Sequence, residues 1–107
     1  MRVVAGELRG RKISAPEGTT TRPTTDMARE AIFNALTSLD VIVEANVLDL
    51  FAGSGALGIE ALSRGAKHCT FIERDRDALA SLQDNIKKRA AKYLSRASIQ
   101  MELLIIR

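Results

Sequence analysis

The run Val47–Leu62, VLDLFAGSGALGIEAL, constrains this chain more than any other stretch. A short apolar segment ends in a turn with glycine at Gly53, Gly55 and Gly58, and an amphipathic helical pattern follows at once. Strand, glycine turn, helix is the opening of a βαβ unit. The glycines let the backbone turn tightly and approach a ligand, and the helix N-terminus points free N–H groups into the crevice. The spacing Gly53-x-Gly55-x-x-Gly58 matches the dinucleotide fingerprint, and Glu73, closing the next apolar run, stands where an acid can accept ribose hydroxyls.

The rest of the pattern extends this unit. Asn46–Phe51 reads as a parallel strand covered on both faces, because its apolar run is nearly continuous. A helix is expected from about Ala56 to Arg64, stopped by Gly65 as a left-handed cap. His68–Glu73 forms the second strand. A helix over Asp77–Tyr93 places Leu79, Leu82, Ile86 and Ala90 on one side. The tail SIQMELLIIR reads as a third strand. Upstream, Met1–Pro16 is patterned as a short hairpin, EGTTTRPTT as a loop, and a helix begins near Asp26, which can cap it. Its apolar positions are Met27, Ala31, Ile32, Ala35, Leu36 and Leu39. The fold class is α/β, a parallel βαβαβ core with right-handed crossovers behind an N-terminal β-hairpin and helix. Residues 1–25 are a basic hairpin and loop, and residues 26–107 the cofactor-binding domain.

Charge discriminates among ligands for the glycine turn. Asp49 lies four residues before Gly53. A carboxylate there opposes a pyrophosphate but suits a cation. In addition, 45 residues precede the glycine strand, whereas dinucleotide domains often start almost at that strand. S-adenosyl-L-methionine meets both points: it carries a sulfonium and an ammonium, has no phosphate, and offers a ribose diol. A Walker-type phosphate loop is excluded, since no Gly-Lys-Ser/Thr closes the turn. A tight strand-to-helix turn without a ligand is the plain structural alternative.

Composition sets the remaining bounds. A chain of 107 residues makes one domain, and 46% hydrophobic with 27% charged residues is ordinary for a globular protein. Leu103–Ile106, the longest apolar run, is too short to span a bilayer, and no secretory leader pattern opens the chain. Cys69 is the single cysteine, so no internal disulfide forms and a reducing, cytoplasmic compartment is expected. Neither Cys69 nor His68 has metal-ligand spacing. The net charge of +3 is mild, but the cations cluster: Arg2, Arg9, Arg11, Lys12 and Arg22 near the start, and Lys87, Lys88, Arg89, Lys92 and Arg96 near the end. Such clusters are either solvated faces or phosphate footprints.

VLDLFAGSGALGIEALSRGA resembles motif I of the S-adenosylmethionine-dependent methyltransferases with a Rossmann-like fold. Together with RPTTDMAREAIFNAL upstream and VVAGELRGRK at the start, it resembles the bacterial 16S ribosomal RNA guanine-N2 methyltransferase family (RsmD-like), from about Arg2 to Asn85. The resemblance implies a partial Rossmann-like methyltransferase fold and roles at matching positions. Asp49 and the turn Phe51, Ala52, Gly53, Ser54 and Gly55 would hold the methionine end of the cofactor, and Glu73 the ribose hydroxyls. Thr25 and Asp26, with Thr24, would lie near the cofactor mouth. Arg9, Arg11, Lys12 and Arg22 would face ribosomal RNA or the assembling small subunit. Asp26 as a helix cap and Asp49 as a locally bonded strand-end carboxylate stay open as alternatives.

The family aims the target amine with an Asn/Asp-Pro-Pro-aromatic loop, whose ring stacks on a base drawn out of its stack. Here the two prolines, Pro16 and Pro23, are not adjacent, so that loop is missing from these residues. The expectation is a C-terminally truncated chain, inactive alone, whose apolar tail can drive self-association. Two rival readings are a non-catalytic RNA-binding remnant, using the hairpin and the Lys87–Arg96 face, and a fragment of an NAD-dependent oxidoreductase.

Overall fold

A computed structural model of the chain describes residues 1–15 and 25–100. Arg22, Thr24, most of the Thr- and Pro-containing loop and the apolar run 103–106 lie outside the described residues. Helix α1 spans Asp26–Ser38, strand β1 Asn46–Asp49, helix α2 Ala56–Ser63, strand β2 His68–Ile72, helix α3 Arg76–Arg89 and strand β3 Ala97–Gln100. A 3-10 turn over Ala91–Arg96 joins the last two. The strands form one parallel sheet in the order β1-β2-β3, with Asn46 opposite His68 and Cys69 opposite Ala97. Consecutive parallel neighbours joined by helices are what the βαβαβ pattern predicts.

Local sequence accounts for the helices. Helix α2, ALGIEALS, is buried almost all round, as its nearly unbroken apolar composition requires. Gly65 follows it with φ 110°, in the left-handed region. Asp75 caps α3, its side chain accepting the Ala78 N–H at 2.9 Å, and Lys87, Lys88 and Arg89 in the last turn complement the helix dipole. Leu79, Leu82, Ile86 and Ala90 are all buried, on the side that the spacing marked out. The 3-10 turn, and not a longer α3, carries Tyr93.

The N-terminal segment is a hairpin in outline. Arg2 pairs antiparallel with Lys12, the Val3 N–H donates to the Arg11 carbonyl at 2.9 Å, and the Ile13 N–H donates to the Met1 carbonyl at 2.8 Å. The loop between these arms folds down on α2, where the Glu7 N–H donates to the Ser63 carbonyl at 2.9 Å. Gly6 makes that approach possible: its φ is +87°, and a Cβ there would lie 2.0 Å from the Ser63 oxygen. Val3, Leu8 and Ile13 join the same core as α2 and α3.

Three expectations are corrected. First, Thr25 caps α1, accepting the Ala28 N–H at 3.1 Å, because the Asp26 carboxylate is taken by Arg29 at 2.9 Å. Second, most of the apolar stripe of α1 stays outside the core: Leu36 packs against it, but Met27, Ile32 and Leu39 are exposed, whereas Arg29 and Phe33 are buried. The ion pair of Arg29 with the buried Glu60, at 3.3 Å, turns that side of the helix inward. Third, β1 ends at Asp49 and is covered on one face only. Among the described residues it is an edge strand, and Leu48 and Leu50 are exposed beside Phe51.

Candidate functional site

The carboxyl ends of β1 and β2 bring two acids to opposite sides of the glycine turn. Asp49, the last residue of β1, is buried, and its Oδ2 accepts the Gly58 N–H at 3.2 Å. The residue before α2 is Gly55, which has no side chain to cap the helix, so Asp49 supplies an acceptor for one of the free N–H groups of the first turn. Burial raises the Asp49 carboxyl above its ordinary 3.8; the Gly58 N–H pulls it down, and the charge of Glu73 pushes it up again. A buried carboxylate with a single hydrogen-bond donor among the described residues is a place that a cation relieves.

Glu73 follows β2. Its Oε1 accepts the Gly53 N–H at 2.7 Å, and its Oε2 accepts the N–H groups of Arg74 at 3.0 Å and Asp75 at 2.9 Å. It thereby locks the glycine turn to the start of α3. A carboxylate offers about four lone-pair positions. With three occupied, one hydroxyl can be accepted directly, and a grip on both ribose hydroxyls displaces one backbone partner.

The turn is not uniformly open to a ligand. Gly53 has φ +56°, and a Cβ added there would meet nothing within 4 Å, so its solvent side is free. Gly55, at φ +89°, faces inward: a Cβ would lie 2.5 Å from Leu82 Cδ1. At Gly58 a Cβ would lie 2.2 Å from Phe71 Cε1, so that glycine lets helix α2 sit close on β2. Ala52 and Ser54 are buried, and Phe51 is 81% exposed. A shallow, open cleft is lined by Leu50, Phe51, Ile72, Glu73 and Arg74.

The sequence-predicted residues thus divide. Asp49, Phe51, Gly53 and Glu73 gather around the cleft and turn, with Ala52, Ser54 and Gly55 as their scaffold. Thr25 and Asp26 are elsewhere engaged: Thr25 caps α1, and Asp26 pairs with Arg29 and accepts the Arg2 N–H at 3.4 Å. No hydrogen bond or ion pair among the described residues joins them to Asp49, the glycine turn or Glu73. Arg9, Arg11 and Lys12 are exposed on the N-terminal segment.

Two supporting residues escaped the sequence reading. Asn85 is fully buried; its side chain donates to the Ser54 and Ser14 carbonyls, both at 2.9 Å, and accepts the Ser14 N–H at 3.0 Å. It ties the glycine turn to the N-terminal segment. Glu60 is also fully buried and accepts the N–H groups of Val4 at 2.9 Å and Ala5 at 3.1 Å, besides Arg29 and Arg64. The available signal was polarity out of place: Asn85 adjoins the Leu82–Ile86 stripe, and Glu60 interrupts an apolar helix. Cys69 is buried in the middle strand, its thiol pushed up to about 12 by burial and by the charge of Asp49, which leaves it unreactive. Among the described residues no His, Cys, Asp or Glu cluster could hold a metal, and no helix is long and apolar enough to cross a membrane.

An open parallel sheet with a glycine turn at the tip of one strand and an acid at the tip of the next defines a Rossmann-like fold. Among solved structures, yhhF of Escherichia coli, described as a putative methyltransferase, matches with a TM-score of 0.78 and 42% identity, over 95% of this chain and 52% of that one. The chain belongs to the family described as conserved hypothetical protein 95, whose model matches residues 1–104. Among curated proteins, it is 51% identical to YlbH of Bacillus subtilis over 87 residues, 81% of this chain and 46% of that protein. It is also 51% identical to ribosomal RNA small subunit methyltransferase D of Escherichia coli over 86 residues, 80% of this chain and 42% of that protein. The chain therefore spans about half the length of the curated relatives it matches.

Proposed function

We propose that these residues form the cofactor-binding half of an S-adenosyl-L-methionine-dependent methyltransferase acting on guanine N2 of small-subunit ribosomal RNA. The observation that carries this reading is the pair of carboxylates around the glycine turn. Asp49 is buried against Gly58 N–H, and Glu73 grips Gly53 N–H at the cleft. Two acids at that spot repel a pyrophosphate, which disfavours a nicotinamide dinucleotide, and attract the ammonium and sulfonium of the methyl donor. Asp49 and the Gly53 edge of the turn hold the methionine end, Glu73 takes ribose hydroxyl, and Phe51 covers the cleft. Bound S-adenosylmethionine supplies an electrophilic methyl group; the protein's task is to orient it and to keep its charge matched. Arg9, Arg11 and Lys12 face the RNA backbone. Thr25 and Asp26 set the start of α1, through the Ala28 N–H and Arg29, at what the family resemblance makes the cofactor mouth.

The names of the curated relatives support an RNA substrate, and a cytoplasmic site of action is consistent with it. The 107 residues supply the cofactor side of such an enzyme: the glycine turn, Asp49 and Glu73. The exposed Met27, Ile32, Leu48 and Leu50 support self-association, and the apolar tail expected to drive it lies outside the described residues. Calorimetric titration with S-adenosylhomocysteine tests the central claim. Heat of binding that is lost in Glu73→Gln is expected. Binding of NADH in place of the homocysteine analogue refutes it, and salt-sensitive RNA binding with no cofactor binding favours the RNA-binding remnant.

A further inference from the structure

The fold joins two basic stretches that lie more than seventy residues apart in the chain. Arg89 Nη1 donates to the Lys12 carbonyl at 3.2 Å, and the Lys92 ammonium pairs with Glu7. Between them, Ser81 Oγ donates to the Ser14 carbonyl at 2.9 Å, and Asn85 holds Ser14 from both sides. Ser81, Asn85 and Arg89 recur every fourth residue, so one stripe of α3 is laid along the N-terminal segment.

That stripe sorts the cations. Lys88 and Lys92 flank it, with side chains 73% and 53% exposed. Lys87 lies about 160° around the helix from Asn85. Arg96 turns away, donating to the Ala66 and Lys67 carbonyls. Three cations therefore join Arg9, Arg11 and Lys12, and two do not. Among the described residues, the acids paired with this surface are Glu7, with Lys92, and Asp84, with Lys88 at 2.9 Å. Among those residues, six cations against two acids leave a local charge of +4.

We infer that Lys88, Arg89 and Lys92 complete, with Arg9, Arg11 and Lys12, one continuous surface for the phosphate backbone of RNA. This rests on the RNA-facing role of the hairpin proposed above and extends it to the C-terminal end of α3. The character of the surface favours a polyanion over a protein partner. Tyr93, the aromatic ring in this region, is buried, so the aromatic anchor typical of a protein interface is lacking, whereas clustered cations on a rigid support contact phosphates without reading sequence.

The test uses the whole chain and a fluorescently labelled single-stranded RNA of mixed sequence, titrated between about 50 and 200 mM salt. Four net charges predict that log affinity falls with log salt at a slope of about −3. Lys88→Gln with Lys92→Gln should weaken binding about tenfold and flatten the slope by about 1. Lys88→Arg with Lys92→Arg should restore both, and Lys87→Gln should stay within about twofold of the parent. Thermal melts confirm that each variant is folded. If the parent binds RNA and the glutamine pair leaves affinity and slope unchanged, the extended surface is wrong while the hairpin's role survives. If the parent binds no RNA, both fall. Equal affinity for polyglutamate also overturns the inference.

Discussion

Replacing Asp49 by Asn separates the two roles that its carboxylate plays. One is structural: Oδ2 accepts the Gly58 N–H at 3.2 Å. An amide oxygen can keep that bond as a neutral one, worth about 0.5–1.5 kcal/mol net. The other role is electrostatic. Burial, countered by the Gly58 N–H and reinforced by Glu73, raises the Asp49 carboxyl above its ordinary value. The folded chain thus holds this proton to higher pH than the unfolded chain does. The stability it contributes is full below the unfolded pKa of about 3.9 and is lost as pH rises through the folded value. Asp49→Asn escapes that loss. Its thermal midpoint relative to the parent should rise as pH increases from about 4 through the folded value, measured by circular dichroism. Cofactor affinity moves the other way. Removing one partner of a buried charge pair costs at least about 2 kcal/mol, and 2–3 kcal/mol weakens S-adenosylhomocysteine binding about 30- to 150-fold. Asp49→Ala, which leaves Gly58 N–H without this partner, should instead lower stability by about 1–3 kcal/mol. Unchanged affinity in a folded Asp49→Asn protein would refute the cation-binding role and leave Asp49 as a helix cap alone.

Other outcomes follow from the packing. Gly58→Ala drives a methyl to 2.2 Å from Phe71 Cε1, and a loss of about 1–3 kcal/mol in urea unfolding is expected; an unchanged midpoint would mean that α2 shifts freely on the sheet. Glu60→Ala strands Arg29, which is fully buried, and frees the Val4 and Ala5 N–H groups. A loss of about 3–5 kcal/mol, together with faster amide exchange in residues 3–8, is expected by hydrogen-exchange mass spectrometry. Cys69 should react with a thiol reagent at pH 8 only as fast as the chain opens, since its thiol is buried and pushed up to about 12; rapid labelling of the native state would contradict its placement. Sedimentation should show concentration-dependent association that Leu48→Lys relieves, because a charge on an open strand edge opposes pairing; a strictly monomeric parent at high concentration would count against the apolar rim as a contact surface.

Periodicity and punctuation determined the order of elements. The glycine spacing, the apolar runs around Val47 and Phe71, and the stripe Leu79–Leu82–Ile86–Ala90 are local signals, and each element they mark forms. The same reading located Asp49 and Glu73 at adjacent strand tips, because in a βαβ unit the ends of consecutive parallel strands lie side by side. What it could not decide was which face of α1 and of β1 is buried. In α1 the apolar stripe lost to the ion pair of Arg29 with Glu60, a contact between helices that no local pattern contains. Nor could it tell that Gly55 packs inward while Gly53 faces open space, since both differences arise from Leu82 and Phe71 far along the chain. Only the tertiary structure placed Arg89 on the Lys12 carbonyl and Asn85 between Ser14 and Ser54. Local sequence dictates what a segment becomes, because backbone propensity and side-chain spacing act within a few residues. Rotation, burial and the meeting of distant charges are decided by partners that only the folded chain brings within reach.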